Sequence, residues 1–259
     1  MSTQLDRVTP DVLAEIRKAH APVTDAEGHL VGLETKEPES DRIEYPRIVV
    51  VHPMSAVCQD GEAKAGQFYL SMLNMSLGEE LHFVPSAVRY RRIRFEKGKL
   101  AAPVCTSEDG FAGVGDPGGD CQACDLQSWA YAKSQGLSAP PCQLCYNIFG
   151  LLPDMPMQIP LCVSFRSSSA RSGRDLVNLL RATATNPWGL TISLYPQEKS
   201  NDKGRFYVIR WKPSGLTPPD LAAAAQRIAA TLPAAAVPFE DEERTANGET
   251  TDSPPDWTQ

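Results

Sequence analysis

The hydrophobic pattern of this chain breaks between residues 101 and 146, where Gly, Pro, Asp and Cys displace the apolar residues that would build a core. Five of the seven cysteines fall there: Cys105, Cys121, Cys124, Cys142 and Cys145, spaced C-x15-C-x2-C-x17-C-x2-C. A segment so poor in apolar side chains cannot fold on its own burial, and metal binding would supply the missing free energy. A Cys-x2-Cys turn presents two thiolates to one tetrahedral ion, so two such turns in succession predict a zinc site. Five cysteines compete for four positions. Cys121 and Cys124 take two and Cys142 a third; the last falls to Cys105 or Cys145, and spacing alone slightly favours Cys145. The four histidines, His20, His29, His52 and His82, all precede the segment. A closed, structural zinc site is therefore expected rather than a catalytic one with an open position. The competing reading is a set of free buried thiols, which is how Cys58 and Cys162 read in their apolar surroundings.

Strand-like runs flank the break. Arg47–His52, Gly66–Leu70, Leu81–Pro85 and Val88–Phe95 precede it, and Ile148–Leu152, Ile159–Phe165, Leu190–Tyr195 and Arg205–Trp211 follow. The run from Val88 alternates, with Val88, Tyr90, Arg92 and Arg94 on one face and Arg89, Arg91, Ile93 and Phe95 on the other. Helices are predicted over Arg174–Ala184, capped by Ser172, and over Leu221–Leu232, with a short one near the N-terminus. The expected fold is mainly β: an OB-fold-like small barrel, closed or partly closed, with an inserted zinc-ribbon-like segment and a few helices. The expected divisions are an acidic N-terminal extension (1–45) and a barrel domain (46–238) with its insertion at 101–146 and last helix at 217–232. A disordered acidic tail (239–259) follows.

Charge is unevenly distributed. The chain carries −7 overall, but residues 1–45 hold 10 acids against 5 bases and residues 239–259 hold 7 acids against Arg244, leaving 15 acids and 19 bases in residues 46–238. A mildly basic body between acidic ends suits a polyanion-binding surface with a regulatory tail. Arg89, Tyr90, Arg91, Arg92 and Arg94 interleave cations with an aromatic ring. Arg166, Arg171 and Arg174 add charge, and Arg205, Tyr207, Arg210, Trp211 and Lys212 repeat the mixture around Phe206. Charges that track phosphates beside rings that stack on bases are what single-stranded nucleic acid requires. The bland alternative is core aromatics with solvated arginines.

The stretch Pro46-Arg-Ile-Val-Val-Val-His-Pro-Met-Ser55, with Ala63-Lys-Ala-Gly-Gln-Phe68, Cys105-Thr-Ser-Glu-Asp-Gly110 and Gly115-Asp-Pro-Gly-Gly-Asp-Cys-Gln-Ala-Cys124, resembles a group of phage and prophage single-stranded-DNA-binding proteins whose OB-fold carries a zinc-binding insertion. The likeness spans roughly residues 45–215 and rests mainly on the Gly-rich loop and its cysteines. It implies that Cys105, Cys121, Cys124 and Cys142 are the ligands and that Cys145 is spare, reversing the preference drawn from spacing. It also implies a role in DNA replication or recombination; the acidic tail, read from its own composition, is expected to recruit other proteins of those pathways.

An enzyme is not expected. The chain has no phosphate-binding G-x-x-x-x-G-K-[ST] loop and no G-x-S-x-G elbow, and the aspartates near the cysteines read as turn formers. The rival binding function is a zinc-ribbon adaptor for duplex DNA or a protein partner in transcription or replication. No apolar run is long enough to span a bilayer and the N-terminus carries no leader-like segment, so a cytoplasmic setting without a membrane partner is expected.

Overall fold

The computed structural model describes residues 45–95, 103–155, 158–182, 186–201 and 204–232. The expected N-terminal helix and the acidic tail lie outside them. The described chain is mainly β. Strands β1 (Arg47–Val50), β2 (Phe68–Leu70), β3 (Met75–Gly78) and β4 (Leu81–Arg94) come first, with helix α1 (Ala56–Gln59) between β1 and β2. The cysteine-bearing segment adds β5 (Cys105–Ser107), β6 (Ala112–Gly115), β7 (Gly119–Asp120) and helix α2 (Trp129–Ser134). Then come β8 (Cys142–Leu151), β9 (Leu161–Phe165), helix α3 (Ala170–Ala182), β10 (Leu190–Asn201), β11 (Gly204–Leu216) and helix α4 (Pro219–Thr231).

The strands form one open mixed sheet in the order β3-β2-β1-β9-β8-β4, and beyond β4 it forks. One branch is the long β10–β11 hairpin, joined at Leu81–Phe83; the other is β5-β6-β7, joined at Arg92–Arg94. Among the described strands only β1 and β9 run parallel. The sheet nevertheless curls around one core. Ile48, Phe68, Phe83, Ile148, Phe165, Ile192 and Ile209, from both ends of the sheet, share a single apolar cluster with Leu176 and Leu180 of α3. Side chains rather than a ladder bring the ends together. The Tyr207 amide on β11 donates to His52 Nδ1 at 3.4 Å, and the Tyr207 ring lies against Gly66. A Cβ at Gly66 would come within 2.8 Å of that ring. A second cluster lies on the other face of β4, β8 and β9, where Ala224, Ala225 and Ile228 of α4 cover Val84, Ala87, Phe149 and Cys162.

Two elements differ from their sequence patterns for identifiable reasons. Leu81–Pro85 and Val88–Phe95 read as separate strands because alternation fails at Pro85-Ser86, yet they are one 14-residue strand. A bulge between Pro85 and Ala87 carries the proline through the ladder. It also reverses parity: Leu81 and Phe83 face the main core before it, and Val88, paired with Ile148, faces the core after it. The predicted cap Ser172 sits instead inside α3, buried, because a 3-10 turn over Ser167–Ser169 starts the helix earlier. The Ser172 carbonyl accepts a 2.8 Å bond from Trp211 Nε1.

Candidate metal centre and nucleic-acid surface

Strand β8 begins at Cys142, six residues before its apolar run, because its first turn is polar and shows no hydrophobic signal. That start sets the facing of the two cysteines in this strand. Residues three apart on a strand face opposite sides. Cys142 pairs with Arg94 and shares the face of Arg92 and Tyr90; Cys145 pairs with Arg91 on the reverse face and is buried. The second Cys-x2-Cys pair is therefore a stretch of strand, not a knuckle. The first is a turn, in which the Cys124 amide donates to the Cys121 carbonyl at 3.4 Å and Gln127 Nε2 to the same oxygen at 2.5 Å.

Cys105, Cys121, Cys124 and Cys142 line one small cavity with Arg94, Pro117, Gly118, Leu126 and Gln127, and Cys145 is not among its lining residues. Close backbone approaches build its walls. Gly113 leaves room for Cys105, whose Sγ would lie 3.4 Å from a Cβ there. Gly115, at φ +111°, passes so near the Val104 carbonyl that a Cβ would come within 2.2 Å of it. Burial pushes the Cys142 thiol up, Arg92 opposes this, and the neighbouring Cys121, Cys105 and Cys124 add to it. A dication would reverse that preference, since thiolates are its ligands. The donor set thus fits a thiophilic tetrahedral ion. Among the described residues no three His, Cys, Asp or Glu side chains form a ready-made ligand shell. Cys105 and Cys142 both pair with Arg94, one on each side, which puts them two ladder spacings, roughly 10 Å, apart at Cα. Arg94 lies between them in the ladder and lines the same cavity.

The loop between β5 and β6 ties this segment to the sheet. Asp109 Oδ1 accepts from Ser107 Oγ and from the amides of Phe111 and Ala112, at 3.0, 2.7 and 2.9 Å. Those amide bonds hold the Asp109 carboxyl below its ordinary range. The Gly110 carbonyl accepts from Arg92 Nε at 3.2 Å, and Arg94 Nη1 donates to the Asp116 carbonyl at 2.7 Å. On the reverse face Arg91, 6% exposed, pairs with Glu108 at 3.3 Å.

The cations singled out from the sequence divide by partner. Arg91 and Arg94 are ion-paired to the cysteine-bearing segment. Arg205 pairs with Glu198 at 3.8 Å and Lys212 with Glu80 at 2.8 Å, and Glu80 also accepts from Ser193 Oγ. Arg210 Nε donates to Gln197, and Arg89 to the Val88 carbonyl. Arg166 is half-buried just before α3, and Arg171 is exposed at its start. Of the aromatics, Trp211 is anchored to Ser172, and Tyr207 donates to Glu198 at 3.1 Å. Tyr90 meets Tyr146 edge-on at 5.7 Å between ring centres. Pattern reading missed Arg181, whose Nη2 donates to Tyr90 Oη at 2.9 Å. Its one sequence signal is the seven-residue spacing from Arg174, which sets both on one helix face. The cysteine-bearing segment exposes Phe111, Val114 and Trp129.

These features define a mainly β protein of phage derivation, built on a curled sheet with a cysteine-bearing insertion. Residues 17–237 match the Pam3 phage gp34-like protein family, and the chain belongs to that family. Neither curated proteins nor solved structures gave a match. Among the described residues no helix is long and apolar enough to cross a membrane.

Proposed function

We propose that this protein is a non-enzymatic, non-sequence-specific single-stranded-DNA-binding protein of phage-type replication or recombination, acting in the host cytoplasm, with a structural zinc ion held by Cys105, Cys121, Cys124 and Cys142. One observation carries the reading. Arg92, Arg171, Arg174, Arg181 and Arg210 have no carboxylate partner among the described residues. Four of the five lie on β4 and α3, and three of these, Arg92, Arg174 and Arg181, act on the Tyr90–Tyr146 pair. Unpaired guanidinium groups beside aromatic rings are suited to phosphate and base. The acid surplus lies in residues 1–45 and 239–259. The tail would compete for the basic surface and recruit replication or recombination proteins.

A second reading has its own support. Phe111, Val114 and Trp129 stand exposed in the same segment as the exposed Asp109, Asp116, Asp120 and Asp125, a surface better suited to a protein partner than to phosphates. An adaptor of that kind would show no preference for single strands. Fluorescence anisotropy with a labelled oligo-dT and with duplex of equal length, each at two salt concentrations, separates the two. Tight, salt-sensitive binding to the single strand supports the proposal; equal or negligible binding to both overturns it.

A further inference from the structure

The Tyr90–Tyr146 pair is bracketed by three guanidinium groups from two elements. Arg92 lies two residues along β4 from Tyr90, on the same face, and its Nε is fixed by the Gly110 carbonyl at 3.2 Å. Arg174 and Arg181 both project from α3, seven residues apart. Arg181 Nη2 donates to Tyr90 Oη at 2.9 Å. The Tyr146 phenol, whose ionisation burial opposes, feels the positive charge of Arg174, Arg181 and Arg92 together.

The helix is held here by a close approach. At Gly173 a Cβ would come 2.6 Å from Phe165 Cβ and 3.0 Å from Tyr146 Cβ, so only glycine lets α3 lie this near β8 and β9. The residue after that contact is Arg174, and two turns later the same face delivers Arg181. The one acid of α3 is Asp175. No carboxylate pairs with Arg92, Arg174 or Arg181 among the described residues. Gathering three like charges opposes folding unless an anion relieves them. Two of the three are exposed, so an anion from solution has access.

We infer that Arg92, Arg174 and Arg181 form a seat for a backbone phosphate of single-stranded nucleic acid, with Tyr90 and Tyr146 as its floor. The inference rests on the proposed function and deepens it. It gives Arg92, Arg174 and Arg181 one shared role, the grip on a single phosphate. Tyr90 then acts otherwise than as a stacking ring, because its hydroxyl orients the Arg181 fork and its ring is engaged edge-on by Tyr146 rather than offered to a base. The planar guanidinium fork matches phosphate oxygens in a way an ammonium does not.

The test compares the wild-type full chain with Arg174→Ala/Arg181→Ala, Arg174→Lys/Arg181→Lys and Arg227→Ala, by anisotropy on oligo-dT across a salt series. Arg227 is exposed on α4, which packs on the opposite face of the sheet, and serves as the charge-matched control. The double alanine variant should bind about ten-fold more weakly or worse. Its log–log salt slope should be shallower by about 0.7, the change for one lost phosphate contact on a single strand. The lysine variant should keep the slope and recover only part of the affinity, and Arg227→Ala should match wild type. Arg174 and Arg181 are exposed and their mutual repulsion opposes folding, so thermal midpoints should not fall. If wild type binds and the double alanine variant keeps its affinity and slope, or loses no more than Arg227→Ala, the seat is wrong while the function stands. If wild type shows no preference for single strands, the function fails and the seat with it.

Discussion

Breaking the Arg91–Glu108 pair should cost far more than breaking any other ion pair among the described residues. The Arg91 side chain is 6% exposed and that of Glu108 is 24% exposed, with Nη2 and Oε1 3.3 Å apart. Removing one member of a buried pair leaves the other charge desolvated, at about 3–5 kcal/mol, whereas replacing both with apolar groups is often nearly neutral. Glu108 stays partly hydrated, which places both single variants low in or just under that range. Glu108→Met removes the carboxylate beside the more deeply buried Arg91 charge and should cost about 3 kcal/mol. Arg91→Met removes the guanidinium beside the wetter Glu108 and should cost about 2 kcal/mol. Simple addition gives about 5 kcal/mol for the double variant; losing both charges together should instead cost about 1 kcal/mol, a coupling of roughly 4 kcal/mol. For a domain of this size each kcal/mol moves the midpoint by about 2–4 °C, so Glu108→Met should melt roughly 6–12 °C early and the double variant close to wild type. Thermal unfolding of the four proteins by circular dichroism measures the cycle. Single variants each below about 1 kcal/mol, or an additive double variant, would mean that the pair behaves as a surface ion pair and is not desolvated.

Serine at Cys105, Cys121, Cys124 or Cys142 should abolish bound zinc in protein purified without chelators, whereas Cys145→Ser should keep it; metal analysis of the five variants decides, and zinc retained by Cys142→Ser but lost by Cys145→Ser would reverse the assignment. Asp109 has a folded-state pKa below its unfolded value, so its stabilising contribution is in place above the ordinary carboxylate range near pH 4 and is lost as pH falls through the folded value. The thermal midpoint of wild type should therefore exceed that of Asp109→Ala at pH 7, by a margin that shrinks as pH falls below 4. Gly150→Ala would set a Cβ 2.2 Å from the Val84 carbonyl and 2.5 Å from the Phe83 ring. That overpacking should cost about 3 kcal/mol or prevent soluble expression, and unfolding in urea reads it.

Much of the sheet is legible in the amino-acid order. Alternation alone places Arg91 and Arg92 on opposite faces, and the β4 register agrees. Apolar spacing finds α3 and α4, since both bury one stripe against a sheet. The break at 101–146 falls on a segment whose described residues take no part in the fully buried apolar clusters. It overshoots by including Cys142-Gln-Leu-Cys-Tyr-Asn147, whose polar residues hide a strand that tertiary pairing with β4 enforces.

Amino-acid order is enough to establish composition along the line: a β-rich body, a cysteine-rich interruption, and basic residues between acidic ends. Which of those residues meet is a matter of tertiary pairing. Cys142 and Cys145 form one Cys-x2-Cys pair in sequence yet face opposite sides, because a strand alternates where a knuckle would not. Arg91 and Arg92 are neighbours in sequence, yet one is sealed against Glu108 while the other lies beside Tyr90 and Tyr146. Arg181, 91 positions from Tyr90, reaches its hydroxyl because Gly173 lets a helix settle onto the sheet. Facing, burial and long-range proximity depend on pairings between distant segments, and a local pattern carries no record of those.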